Sequence, residues 1–179
     1  MKRIFLALPV GENNQAELEL LKQRHGAIES LRWTRRENYH VTIYFIGNVE
    51  EYTVERIRPK LWEALGVMAP FRLVPDRIAP YPSAKPAMIW AHFHKNESFR
   101  LIYEVCRQAL QDLGIQGASH DDPIPHITLA RIKSNRLLFP DPGTIKLHPI
   151  AADHCELWES LKTTEGVLYK CLDTFRFHS

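Results

Sequence analysis

His40-Val41-Thr42-Ile43 and His126-Ile127-Thr128-Leu129 are two copies of one string, histidine, apolar, threonine, apolar, separated by close to half of a 179-residue chain. Each sits in a β-forming run. The first is Tyr39 to Ile46, β-branched and aromatic and closed by Gly47, and the second is His126 to Ile132, preceded by Pro123 and Pro125. Successive side chains on a strand point to opposite faces, so His40 and Thr42 share one face while Val41 and Ile43 share the other. The same holds for His126 with Thr128. A single His-x-Thr on a strand is usually a surface or satisfied core residue. Two copies at this spacing point instead to an internal duplication, in which two such strands face each other across a pseudo-twofold axis and enclose two imidazoles and two hydroxyls.

Working outward, Ile4 to Leu8 reads as a strand closed by Pro9 and Gly11. Helix formers from Ala16 to Leu21 predict a helix that Gly26 can stop. Val54, Ile57, Leu61 and Leu65 recur at helical spacing from Thr53 to about Met68, with Thr53 as the expected cap and Pro59 as a kink or early start. The proline-rich stretch from Pro70 to Pro86 suggests short edge strands and a loop, followed by a strand from Ala87 to Phe93. A second amphipathic helix is expected from about Ser98 to Leu113, ended by Gly114. Two further strands fall near Ile145 to Leu157 and near Val167 to Phe177. This order is that of a mixed, largely antiparallel α+β protein.

The composition is ordinary for a folded globular chain: 45% hydrophobic, 25% charged, and long enough to bury a core as one two-lobed domain over residues 1–179. No apolar run reaches the roughly 18 residues of a membrane-spanning helix. Lys2 and Arg3 lead into only a short apolar stretch, so neither a spanning segment nor a secretory signal is expected and a cytoplasmic location is inferred. A net charge of +2 makes any nucleic-acid contact a matter of a local basic cleft. Cys106, Cys155 and Cys171 are odd in number and lack Cys-x-x-Cys spacing. They read as buried free thiols rather than a disulfide framework or a thiolate metal site.

Two histidines and two threonines facing one another suit in-line displacement at phosphorus without a metal. One neutral imidazole takes a proton from the attacking water or hydroxyl, and the other, as imidazolium, gives one to the leaving oxygen. An unperturbed pKa of about 6.5 leaves both forms accessible near neutrality. The threonine hydroxyls can donate hydrogen bonds to the non-bridging oxygens, where negative charge gathers.

At these residues the chain resembles the two-histidine phosphoesterases, and within them the bacterial and archaeal RNA 2',3'-cyclic phosphodiesterases, also called 2'-5' RNA ligases. Arg3 to Pro9 is similar to the family's first strand. Glu37 to Ile43 with Phe45-Ile46-Gly47 is similar to its first motif, and Pro125 to Arg131 to its second with the trailing arginine. Pro86 to Trp90, Glu159-Ser160-Leu161, Gly166 and Tyr169 match weaker signatures. The resemblance implies a bilobal, pseudo-twofold pair of antiparallel sheets flanked by helices around a central cleft. It also implies hydrolysis of an RNA terminal 2',3'-cyclic phosphate to a 2'-phosphate, with His40 as proton donor and His126 as proton acceptor, and no cofactor. Joining a 5'-hydroxyl to the cyclic phosphate as a 2'-5' link uses the same groups. Thr42, Thr128 and Arg131 are the expected phosphate ligands, Phe5 and Tyr169 weaker substrate contacts, and no metal is implied. RNA with a cyclic phosphate end, or a cyclic nucleotide, is the expected partner of a monomer. A phosphodiesterase of a small cyclic nucleotide or 2'-5' oligoadenylate and a non-catalytic nucleotide-binding module are the alternatives.

Strict alternation places Arg131 on the face opposite His126 and Thr128, so it reaches a phosphate only if the strand ends or bulges there. Tyr44 departs from the basic or apolar residue of many relatives. His92 and His94 have metal-ligand spacing on one strand but no evident third ligand. His120, Asp121 and Asp122 read as a solvated turn. Arg32, Arg35, Arg36, Lys85 and Lys133 are candidate RNA contacts, and Trp33 a candidate stacking residue.

Overall fold

Both histidine motifs open strands at the centre of the molecule, and the rest of the fold is arranged around their meeting point. In a computed structural model that describes residues 1–85, 87–117, 123–133, 146–164 and 166–178, the order is β1 (Lys2–Pro9), α1 (Glu12–His25), β2 (Leu31–Trp33), a 3-10 turn (Arg36–Asn38), β3 (His40–Val49), α2 (Glu51–Leu65), β4 (Phe71–Leu73), β5 (Pro75–Tyr81), β6 (Met88–Phe93), α3 (Glu97–Gln111), β7 (His126–Ile132), β8 (Ile150–Ala152), β9 (His154–Thr163) and β10 (Gly166–Arg176). His120, Asp121 and Asp122 lie outside the described residues.

All strand pairs described are antiparallel. Strands β10, β9, β1 and β3 form one lobe; β5, β6 and β7, with β2 on the free side of β7, form the other. The lobes join in one continuous sheet through a single residue pair, Val41 opposite Ile127. Beyond it β3 and β7 diverge. Strand β2 takes the other half of β7, pairing Leu31 with Ile132 and Trp33 with Ala130. A separate small sheet pairs β4 with β8.

The main core lies behind this sheet, under the helices. Strand β1 places Ile4, Leu6 and Leu8 in that core and Phe5, Ala7 and, further out, Arg3 on the cleft face. Helices α2 and α3 bury Val54, Ile57, Leu61, Leu65 and Ile102, Cys106, Ala109, Leu110, on the stripes legible in the sequence, and α3 adds Phe99 and Tyr103. At roughly 1.5–3 kcal/mol for each fully buried aliphatic or aromatic side chain, these faces dominate the stabilisation. Strand β5, with Pro75 and Pro80, stands at the sheet edge, where missing N–H donors cost least.

Three local expectations are corrected. Thr53 does not cap α2: the helix starts at Glu51, the preceding Glu50 is extended, and Thr53 already bonds Glu50 through its backbone N–H at 3.0 Å. Pro59 is not an early start of the helix but lies inside it. Cys106 and Cys155 are buried, but Cys171, on the edge strand β10, is exposed.

Candidate active site

The register at the junction determines the site. With Val41 opposite Ile127 in an antiparallel pair, His40 falls across from Thr128 and Thr42 across from His126. Val41 and Ile127 are fully buried, so all four motif side chains project from the other face. Directly opposed residues have Cβ atoms about 5 Å apart.

Each motif is then followed by a bulge at its fourth residue. On β3 the pairing with β1 passes from Ala7–Thr42 to Leu6–Tyr44, skipping Ile43. On β7 the pairing with β6 passes from Trp90–Thr128 to Ile89–Ala130, skipping Leu129. The extra residue reverses the alternation from there on. Tyr44 and Ala130 turn into the core, while Phe45 and Arg131 turn to the cleft. Arg131 therefore does reach the face of His126 and Thr128. Tyr44 is a core residue, packed on Tyr103, its hydroxyl accepting from the Gly117 N–H at 3.2 Å.

The cavity in front of the junction has a volume of about 810 Å³, and its walls include His40, Thr42, Thr128, Arg131, Phe5 and Tyr169. His126 is not one of those walls. Its ring lies flat on the Trp90 indole, with centroids 3.5 Å apart and planes at 12°, and Tyr81 stacks near-parallel on Trp90 at 3.6 Å. The two histidines are anchored alike. His40 Nδ1–H donates to the Asn38 carbonyl at 2.7 Å and His126 Nδ1–H to the Ile124 carbonyl at 2.8 Å, each two residues back. That leaves Nε2 as the nitrogen of each ring turned away from its anchoring carbonyl. In His40, Nε2 accepts from the Thr42 hydroxyl at 3.0 Å.

The His40 ring is enclosed by Phe5, Trp158 and Tyr169, with centroids 5.0, 5.2 and 5.1 Å away. Desolvation in this apolar box lowers its pKa to about 4, against a smaller opposing effect of the Asn38 carbonyl. Burial raises the Tyr169 phenol, opposed by the positive charges of Arg131 and Arg3. Asn38 ties the box together. It is buried, its Nδ2 donates to the Val167 carbonyl at 2.7 Å, and its Oδ1 accepts from the Tyr169 N–H at 3.2 Å. Asn38 lies within the first motif and Trp90 within a weaker signature, but neither was singled out as a site residue, and Trp158 lies in no motif of the sequence.

Among the basic candidates, Arg32 and Arg35 join Arg131 on the cavity wall, as does Trp33. Arg36 instead donates to Gln15, Lys133 to the Glu29 carbonyl, and Lys85 is exposed away from the cavity. Arg3 and Lys162 are further cleft cations not anticipated. His92 is buried on β6 beside Trp90, and His94 lies beyond the strand, facing Asp76 at 4.0 Å. No three His, Cys, Asp or Glu side chains cluster as a metal site among the described residues.

Residues 8–90, which contain the first motif, match the LigT like Phosphoesterase family model, and the bulged second motif repeats the same strand arrangement across the junction. Over residues 8–90 the chain is similar to the LigT-like phosphoesterases. The RNA 2',3'-cyclic phosphodiesterase of Thermotoga maritima is 26% identical over 98% of this chain and 95% of its own length. The fold is shared with TT0787 of Thermus thermophilus, at a TM-score of 0.85, 22% identity and 97% coverage of both chains. It is shared also with E. coli LigT, solved in complex with 3'-AMP, at a TM-score of 0.80, 18% identity and 99% coverage of both. No helix among the described residues is long and apolar enough to cross a membrane.

Proposed function

We propose that this protein hydrolyses the terminal 2',3'-cyclic phosphate of RNA to a 2'-phosphate, by metal-independent acid–base catalysis with His40 as proton donor and His126 as proton acceptor. The observation that carries the reading is the junction itself. The single Val41–Ile127 pair sets two Nδ1-anchored imidazoles and two threonines diagonally on one face, and relatives of this length are named for that activity.

In the proposed reaction His126 Nε2 takes a proton from water as its oxygen bonds to phosphorus. The P–O3' bond breaks, and the 3' oxygen receives the proton of His40 Nε2. Thr42, Thr128 and Arg131 hold the non-bridging oxygens, where negative charge accumulates. A 5'-hydroxyl in place of water gives a 2'-5' link by the same proton traffic. Burial in the aromatic box keeps His40 neutral above about pH 4, so it takes up its proton with the substrate: the phosphate anion supplies the opposite charge that the aromatic box lacks.

The test is to incubate wild type and His126→Ala, with chelator present, with a short RNA ending in a 2',3'-cyclic phosphate and to resolve 2'- from 3'-phosphate products. Conversion to the 2'-phosphate by wild type alone supports the reading. A 3'-phosphate product or an unreactive substrate overturns it, and loss of activity on chelation overturns metal independence.

A further inference from the structure

The two lobes repeat each other closely enough for a missing part to be noticed. Strand β1 corresponds to β6 and β3 to β7: Ala7 pairs with Thr42 as Trp90 pairs with Thr128, and each central strand bulges at the next residue. The first cleft-facing position after the bulge is Arg131 in one lobe and Phe45 in the other. The lobe of His40 thus has no cation at that place on its central strand. It has one on the neighbouring strand, where the Arg3 guanidinium lies over the Phe45 ring, 4.9 Å from its centroid.

Arg3 faces the cavity two residues along β1 from Phe5, about 7 Å at the rise of a strand, and the Phe5 ring is 5.0 Å from that of His40. It makes no ion pair with any described carboxylate. Glu159, a carboxylate on the same wall, is bridged by Lys2 at 3.4 Å. Tyr169 feels the charge of both Arg3 and Arg131, and all three line the same cavity. An aromatic-backed guanidinium left without a counter-ion in a cleft suits an anionic ligand.

We infer that Arg3 binds the backbone phosphate on the 5' side of the terminal nucleotide, so that the cleft selects the end of an RNA chain over a free mononucleotide. The inference rests on the cyclic phosphodiesterase reading above and extends it. The cyclic phosphate occupies Thr42, Thr128 and Arg131, and the next anion along an RNA is the preceding phosphodiester, which a mononucleotide lacks. A volume of about 810 Å³ is toward the upper end of the roughly 300–1,000 Å³ of small-molecule pockets, consistent with more than one nucleotide.

The experiment measures Kd for a dinucleotide bearing a terminal 2'-phosphate and for the matching nucleoside 2'-phosphate, alongside kcat/KM for the two corresponding cyclic phosphates. Wild type is compared with Arg3→Gln, Arg3→Lys and, as a control on the far surface, Arg100→Gln. The expected result is about tenfold or more tighter binding of the dinucleotide by wild type, as one charge-assisted contact provides. Arg3→Gln should reduce that ratio to near one and make the slope of log K against log salt shallower by about 0.7. Arg3→Lys should keep part of the ratio, and Arg100→Gln all of it. Equal affinity of wild type for the two ligands, or an undiminished ratio in Arg3→Gln, overturns the inference. If neither cyclic substrate turns over, the phosphodiesterase reading fails, while the binding ratio still decides the role of Arg3.

Discussion

The two histidines occupy equivalent places in two copies of one structure, yet their surroundings differ. His40 is walled by the edges and faces of Phe5, Trp158 and Tyr169 at about equal distances, and the whole box is desolvated. His126 rests on one face of Trp90, and the other face of that indole is covered by Tyr81. The cause lies in the strand next door. Where β1 has Ala7 opposite Thr42, β6 has Trp90 opposite Thr128, so one ring is enclosed from a distance and the other is stacked directly. The duplication therefore provides two identically anchored imidazoles, and the outer strands give them unlike surroundings, as the proposed acid–base pair requires.

The most drastic break of this comparison is to remove either imidazole. His40→Ala and His126→Ala should each lower kcat by about a thousandfold, within the range of positioned acid–base groups, with the thermal midpoint nearly unchanged because neither ring belongs to the main core. A variant that keeps a tenth of wild-type turnover would show that its lobe is only a binding surface. Next in size is Arg131→Gln, which should cost about a hundredfold in kcat, the scale of one lost oxyanion donor. A loss confined to KM would mean that Arg131 holds substrate and transition state equally.

Much of this was legible in the sequence because it rests on local signals. The duplicated His-x-Thr, the apolar positions Val41 and Ile127 behind it, and the stripes of α2 and α3 all follow from periodicity that any window of the chain carries. The bulges were not legible. Ile43 and Leu129 are ordinary strand residues, without the glycine that often marks a bulge, and the skipped pair is decided by β1 and β6, far away in sequence. For that reason alternation alone misplaced Arg131. The aromatic box was hidden for the same reason, since Trp158 reaches His40 only through the pairing of β9 with β1. Thr53 misled as a cap because Glu50 occupies that position.

Asn38 offers a gentler way to separate the lobes, because only the His40 side has an amide that stitches the histidine turn to a neighbouring strand. Asn38→Ala leaves the Tyr169 N–H and the Val167 carbonyl without their side-chain partner, at a cost of about 1–3 kcal/mol for a buried group left unpaired. Thermal denaturation should show the loss. Turnover should fall about tenfold, mostly in kcat, as the box loosens, and wild-type stability in this variant would remove Asn38 from the account.

The smallest effect is on pH dependence, and it tests the origin of the asymmetry. With the folded pKa of His40 at about 4 and the unfolded value near 6.5, the unfolded chain binds the extra proton first. This site therefore contributes stability that is present above about pH 6.5 and is lost as pH falls toward 4. In kinetics, kcat/KM reports the free enzyme and should show a limb near pH 4. In kcat the same limb should move up, since the bound phosphate favours the imidazolium. Trp158→Leu opens one wall of the box to water and should raise the free-enzyme limb by about half a unit to one unit, with less stability lost on acidification, whereas Trp90→Leu in the other lobe should leave that limb in place. If instead Trp90→Leu moves the limb and Trp158→Leu does not, the low-pH group is His126, and the proton roles drawn for the two lobes must be exchanged.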